Sequence, residues 1–338
     1  MINRKFMSKN SWYFVLPILA FVISTAIYLS FTNSFHHLGI EANRLEATLN
    51  LYPSLPKESI LFLGESQVRE DIDCHKIDQI NNSPSCFNLG LAGILPLQLA
   101  LQKELVIKAE PKTVVIGVSA VFFDETSNKN DDLFMVLSQN SETSSTASTD
   151  YVGGLLTEKE QNLLTMNFYQ RAVYKRKFIM PFVLSFLKSI FSENTSTDNL
   201  QAIYDFKNPH FFTTRQSLEE LNQKINDPQF KTIFEIEKSP LRERKAFVYL
   251  IHELRKAGIK VVILKMPLHP LVLQNVPAPS QAAFDSFISK TAETWKIEVL
   301  DYEDKYAAED FTDLTHLTEK GEEKFTTDLI GGEHHFTQ

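Results

Sequence analysis

The run Thr113-Val114-Val115-Ile116-Gly117-Val118 carries no polar side chain beyond its first residue. As a strand it must therefore be covered on both faces, the condition of a central strand in a parallel sheet. Ile60–Leu63 is of the same kind, and Ile259–Leu264 is nearly so. Parallel neighbours need a crossover connection, most often a helix. The intervals supply them, because Leu95–Lys108, Leu241–Ala257, Gln281–Trp295 and Thr318–Ile330 place apolar residues at helical spacing. Shorter strands are expected at Cys86–Leu89 and Ile297–Leu300. This alternation predicts an α/β fold, a three-layer sandwich around a parallel sheet.

The chain has 338 residues, 43% of them hydrophobic, which is ample for a core. A net charge of -8 without a dense Lys/Arg block argues against nucleic acid as a partner. Trp12–Phe31 is almost entirely apolar, about the length that spans a bilayer, and follows Arg4, Lys5 and Lys9. The basic flank predicts a single-pass anchor in the cytoplasmic (inner) membrane, with the rest of the chain extracytoplasmic or periplasmic. A cleavable signal peptide is the alternative, but its apolar region is usually only ~7–15 residues, and no clear small-x-small site follows here. His36 and His37 read as residues of the membrane interface. Cys74 and Cys86 flank a short polar loop, and an oxidising compartment allows them to pair, although sequence leaves open whether they meet. No C-x-x-C or H-x-x-x-H spacing supports a metal site.

The chemistry concentrates where strands end. Ser59-Ile60-Leu61-Phe62-Leu63-Gly64-Glu65-Ser66 reads as a buried strand running into a tight turn at Gly64, which lifts Ser66 out of the sheet end. Far downstream, Asp313-Leu314-Thr315-His316 offers an acid and an imidazole just before the closing helix. Nucleophile, orienting carboxylate and base then follow in the order Ser, Asp, His. Each motif alone is common, and a D-x-x-H spacing is usually a solvated surface. Ligands in open parallel sheets sit at the carboxyl ends of the strands. Ser66, Gly90, Ser119, His269 and Asp313 with His316 all fall at or beyond such ends.

Gly64-Glu65-Ser66 after a strand, with Asp313-x-x-His316 before a terminal helix, resembles the SGNH, or GDSL-like, hydrolase superfamily. The resemblance covers Ser59–Asp124 and roughly Gly258–Ile330. It implies a flavodoxin-like fold, acyl transfer through Ser66, Asp313 and His316, no cofactor, and an oxyanion hole to which Ser66 and Gly90 contribute backbone N–H groups. Typical members carry G-x-N-D where this chain has Gly117-Val118-Ser119-Ala120, so Ser119 is left as the candidate third donor. Membrane-anchored relatives imply as substrate an acylated cell-envelope glycan and, as a partner, a multi-span membrane protein of acyl transfer. A non-catalytic binding or assembly module of the same fold is the competing reading, favoured by Glu65 and Ser119 where relatives have Asp and Asn.

Arg69, one helical turn beyond Ser66, is a candidate for an anionic substrate group; an ion pair with Glu65 or Asp73 is the alternative. His269 is expected to line the pocket, the alternative being a cap on local backbone. The expected organisation is a tip and anchor over residues 1–34, a stalk over 35–57, an α/β domain in two parts, 58–127 and 241–332, and a tail at 333–338. The insert between them, 128–240, is expected to hold a mobile loop over Asn128–Asp150 and a helical cap over Thr157–Phe191. Tyr174-Lys175-Arg176-Lys177 beside an apolar run would alternatively suit a membrane surface.

Overall fold

The computed structural model describes Ser24 and residues 40–81, 85–124, 131–166, 205–209 and 214–331. Nearly all of these fall in one unit, residues 40–165 with 197–338; the other, 1–39 with 166–196, contains the expected anchor. That anchor and most of the expected cap lie outside the described residues. Among the described residues no helix is long and apolar enough to cross a membrane.

Five strands form an all-parallel sheet in the order β2-β1-β3-β4-β5. They are β1 (Ile60–Leu63), β2 (Cys86–Asn88), β3 (Thr113–Val118), β4 (Lys260–Lys265) and β5 (Glu298–Asp301). Every residue of β1 and β3 is buried, as their unbroken apolar runs require. Helices pack against the sheet, an arrangement compatible with a three-layer sandwich. One face shows the period of two: Ile60, Phe62, Val115, Val262, Leu264 and Leu300 form a core with residues of the helices Ser66–Asp71, Cys74–Asn81 and Glu319–Gly331. From β1 the chain moves outward to β2 and then returns past β1 to β3. The crevice where the order reverses, between the carboxyl ends of β1 and β3, is where such sheets bind ligands.

Two segments differ from the sequence reading. The expected stalk is part of the fold: the helix Ile40–Leu51 buries Ala42, Leu45 and Leu49, with Tyr52 following. The expected loop over Asn128–Asp150 contains two helices, Asp131–Leu137 and Ser141–Thr149. Leu133 through Leu137 are all buried, so this stretch does have apolar surface to hide. The second helix is Ser/Thr-rich but begins at Asn140, whose side chain accepts from the Glu142 and Thr143 amides and so satisfies first-turn donors.

Cys74 and Cys86 are joined, with their Cα atoms 5.2 Å apart and a sequence separation of 12. The bridge ties the start of the Cys74–Asn81 helix to edge strand β2. Closing so short a loop restricts the unfolded chain by about 3 kcal/mol. Replacing both cysteines with serine should therefore lower the urea midpoint by the equivalent of roughly 2–3 kcal/mol. An unchanged midpoint would show that the bridge contributes nothing to stability.

Candidate active site

At the end of β1, Gly64 takes φ +152°, and a Cβ there would lie 2.5 Å from Val68 Cγ2 and 2.8 Å from the Gly117 carbonyl oxygen. Only glycine lets the chain turn this tightly against β3. Glu65 then precedes the helix Ser66–Asp71, and Ser66 stands half-buried in its first turn. The amides of that turn have no acceptor within the helix.

The partner stretch is a closed loop. Phe311 and Leu317 form an antiparallel bridge, the Thr312 amide donates to the His316 carbonyl at 2.8 Å, and Thr312 Oγ1 donates to the Leu317 carbonyl at 3.0 Å. Inside it, Asp313 Oδ1 accepts from the amides of Thr315 (2.8 Å) and His316 (2.9 Å), an Asx-type turn that sets acid and imidazole side by side. His316 Nδ1 lies 3.0 Å from Asp313 Oδ2, and His316 Nε2 lies 2.8 Å from Ser66 Oγ. With Nδ1–H donated to the carboxylate, Nε2 is left as the acceptor for the serine hydroxyl. Burial works to raise the Asp313 carboxyl. The hydrogen bond and charge of His316, with the two amides, outweigh it and hold the group well below the usual carboxylate range.

Two contacts that the sequence did not suggest lock the halves together. Gln67 Nε2 donates to the carbonyls of Pro267 (2.9 Å) and Thr315 (3.1 Å), so the residue after the nucleophile grips the loop carrying the base. Asp71 Oδ1 accepts from the Leu317 amide at 2.9 Å at the other end of the same helix. Asn88, fully buried at the end of β2, caps that helix: Nδ2 donates to the carbonyls of Val68, Arg69 and Ile72 at 2.9, 3.2 and 2.9 Å. An amide directly after a short strand was the available signal for Asn88. Nothing local marks Gln67 or Asp71.

The other candidate residues have different work. The Gly90 amide donates to Asn88 Oδ1 at 3.1 Å, and a Cβ on Gly90 would lie 2.4 Å from the Arg69 amide nitrogen. Gly90 is thus a packing glycine whose N–H is already used. Ser119 Oγ, also buried, donates to Glu65 Oε1 at 2.9 Å, which takes its hydroxyl away from an oxyanion role. In the loop after β2, the Leu91 amide goes to the Gly64 carbonyl (3.0 Å) and the Ala92 amide to Glu41 Oε2 (2.8 Å). Gly93, at φ +69°, is the next amide and has no acceptor among the described residues.

Arg69 is 2% exposed and pairs with Glu70 (Nε to Oε1, 2.6 Å) and with Glu41, so it is a structural cation rather than a substrate contact. Neither of the partners expected from sequence is involved in these pairs. His269 is 3% exposed and does the work of the alternative reading, a cap on local backbone. Its Nδ1 accepts from the Leu271 amide at 3.0 Å, capping the helix Pro270–Asn275, while its own amide holds the Leu314 carbonyl at 3.2 Å. Burial, with the charge of Arg215, lowers its pKa and favours the neutral, accepting imidazole.

Several buried carboxyls around the sheet bear on pH. Burial raises Glu65 to about 7, against hydrogen bonding from Ser119 and the charge of His316. Burial likewise raises Glu243 to about 7 and Glu322 to about 8, and pushes Asp71 well above its usual value. Each holds its proton more tightly folded than unfolded, so its contribution is fully present below about pH 4.5 and is lost as pH rises toward about 8. Asp313 runs the other way, stabilising above about pH 4 and losing that contribution in acid. The depressed His269 also opposes the trend, below its unfolded value of about 6.5. The melting temperature should peak near about pH 5 and fall by on the order of a few °C by about pH 8.5. A thermal scan that stays flat or rises over that interval would contradict these carboxyl shifts.

Compared with known proteins, the chain matches no protein-family model and no curated sequence.

Proposed function

We propose that the chain is a serine acyl-transfer protein of the SGNH, flavodoxin-like three-layer class. More particularly, we read it as an extracytoplasmic esterase or O-acyltransferase, held by an N-terminal membrane anchor with an inserted cap, that acts on acyl esters of an envelope glycan. The observation that carries this is the 2.8 Å contact of His316 Nε2 with Ser66 Oγ, with Nδ1 of the same ring on Asp313. His316 takes the hydroxyl proton as Ser66 attacks the ester carbonyl, and Asp313 stabilises the imidazolium that forms. The tetrahedral oxyanion draws on the Ser66 amide in the first helical turn, and the Gly93 amide, without an acceptor among the described residues, is the candidate second donor in place of Gly90 and Ser119. His316 returns its proton to the leaving alkoxide, and water or a glycan hydroxyl then attacks the acyl-enzyme, giving hydrolysis or transfer.

The envelope substrate and the multi-span partner rest on the resemblance alone. Incubating the full chain with acetylated and unacetylated envelope glycans, and following acetate release or transfer by mass, tests the reading. Neither release nor transfer with any acylated glycan would refute it. A second reading, a non-catalytic binding module of the same fold, is favoured by one observation: the Ser119 hydroxyl and the Gly90 amide, both expected as oxyanion donors, are engaged elsewhere. A serine-reactive phosphonate separates the two, because only an activated Ser66 is labelled.

A further inference from the structure

The outer surface of the helices Leu241–Lys256 and Ala278–Trp295 carries a concave site of about 640 Å³. Neither Ser66 nor Asp313 nor His316 borders it. The volume lies within the usual range for small-ligand sites. Two tilted aromatic pairs build its walls: Tyr151 with Tyr249, ring centroids 5.2 Å apart, and His252 with Trp295, 4.8 Å apart. The Tyr249 hydroxyl is anchored on Asp150, which holds that ring in place.

The charge here runs against that of the whole molecule. In a chain of net -8, the lining contains Arg244 and Lys245 and no carboxylate. Neither cation has an ion-pair partner among the described residues. Two donors of lining residues, Arg244 Nε and Trp295 Nε1, are buried without an acceptor. Both atoms lie beneath the surface, so what a ligand meets is the rest of the guanidinium and the faces of the rings. The aromatic faces call for an apolar, slightly positive surface to lie on them, as the C–H face of a sugar ring provides. The unpaired guanidinium suits a carboxylate, which it can clamp with two parallel N–H bonds.

We infer that this is a non-catalytic binding site for an acidic saccharide, whose ring stacks on the aromatic walls and whose carboxylate meets Arg244 and Lys245. It is independent of Ser66 and of the acyl-transfer reading.

The test uses the full chain in detergent. Trp12 and Trp295 are its only tryptophans, so Trp12→Phe leaves Trp295 as the sole indole reporter. A galacturonate tetramer should quench it saturably, and a neutral galactose tetramer should bind about tenfold or more weakly. Arg244→Gln or the exposed Lys245→Gln should each weaken the acidic tetramer by roughly tenfold. No saturable binding of the tetramer, equal binding of the neutral one, or unchanged binding in both variants would overturn the proposal. So would binding only to anionic phospholipid vesicles, or only to benzoate. Ser66→Ala should leave quenching intact, so a chain that binds but hydrolyses nothing refutes the acyl-transfer reading alone.

Discussion

A Ser66→Ala chain should fold as the parent does and lose hydrolysis of small acyl esters by about 10³-fold or more, together with all labelling by serine-reactive phosphonates. Ser66 is half-buried, and its only described polar side-chain contact is with His316. Removing the hydroxyl therefore leaves no buried group stranded. Asp313→Asn should cost roughly 10²–10⁴ in rate with little change in substrate affinity, because an amide no longer enforces the tautomer that keeps Nε2 an acceptor. The two variants together are informative. Labelling that persists in Ser66→Ala, or a rate unchanged in Asp313→Asn, would remove the case for a triad.

The second large effect is structural and starts from the helix Ile40–Leu51. Arg44 is fully buried and donates to the carbonyls of Gly90 (3.0 Å), Asn88 (2.9 Å) and Asp205 (2.8 Å). Burial first, and then the charge of Arg69, lower its pKa to about 10, which leaves it protonated at neutral pH. Arg44→Met would strand three carbonyls and leave Glu41 and Glu70 with less compensating charge. The expected cost is roughly 3–5 kcal/mol, a large part of the stability of an ordinary domain. Arg44→Lys should recover little, since an ammonium lacks the planar fork that reaches all three oxygens. A chain begun at residue 58 should fail to fold cooperatively. Urea unfolding of these variants decides it: an Arg44→Met midpoint equal to that of the parent would mean that the helix is an attachment and not part of the fold.

The central strands were legible because a short segment covered on both faces must be apolar throughout, and polar turns bound it. Ser66, Asp313 and His316 were legible because turn chemistry and i,i+3 spacing are local, and the sheet then brings two local features together. The oxyanion donors were not. Whether the Gly90 amide or the Ser119 hydroxyl is available depends on where Asn88 and Glu65 point, and side-chain direction is decided by packing. The partner of Arg69 was missed for a similar reason: Glu41 lies on a helix that patterning alone assigned to a stalk. The helix Ser141–Thr149 escaped because its residues are poor helix formers, and a side-chain cap with tertiary contacts overrides that preference.

The Cys74–Cys86 bridge has a consequence for maturation. Cys86 stands two residues before Asn88, whose amide group holds the end of the helix that presents Ser66. Until an oxidase has joined the thiols, that clasp is mounted on an edge strand lacking its tether. A chain with both thiols free would therefore hold the first turn of that helix, and Ser66 with it, less firmly than the bridged one.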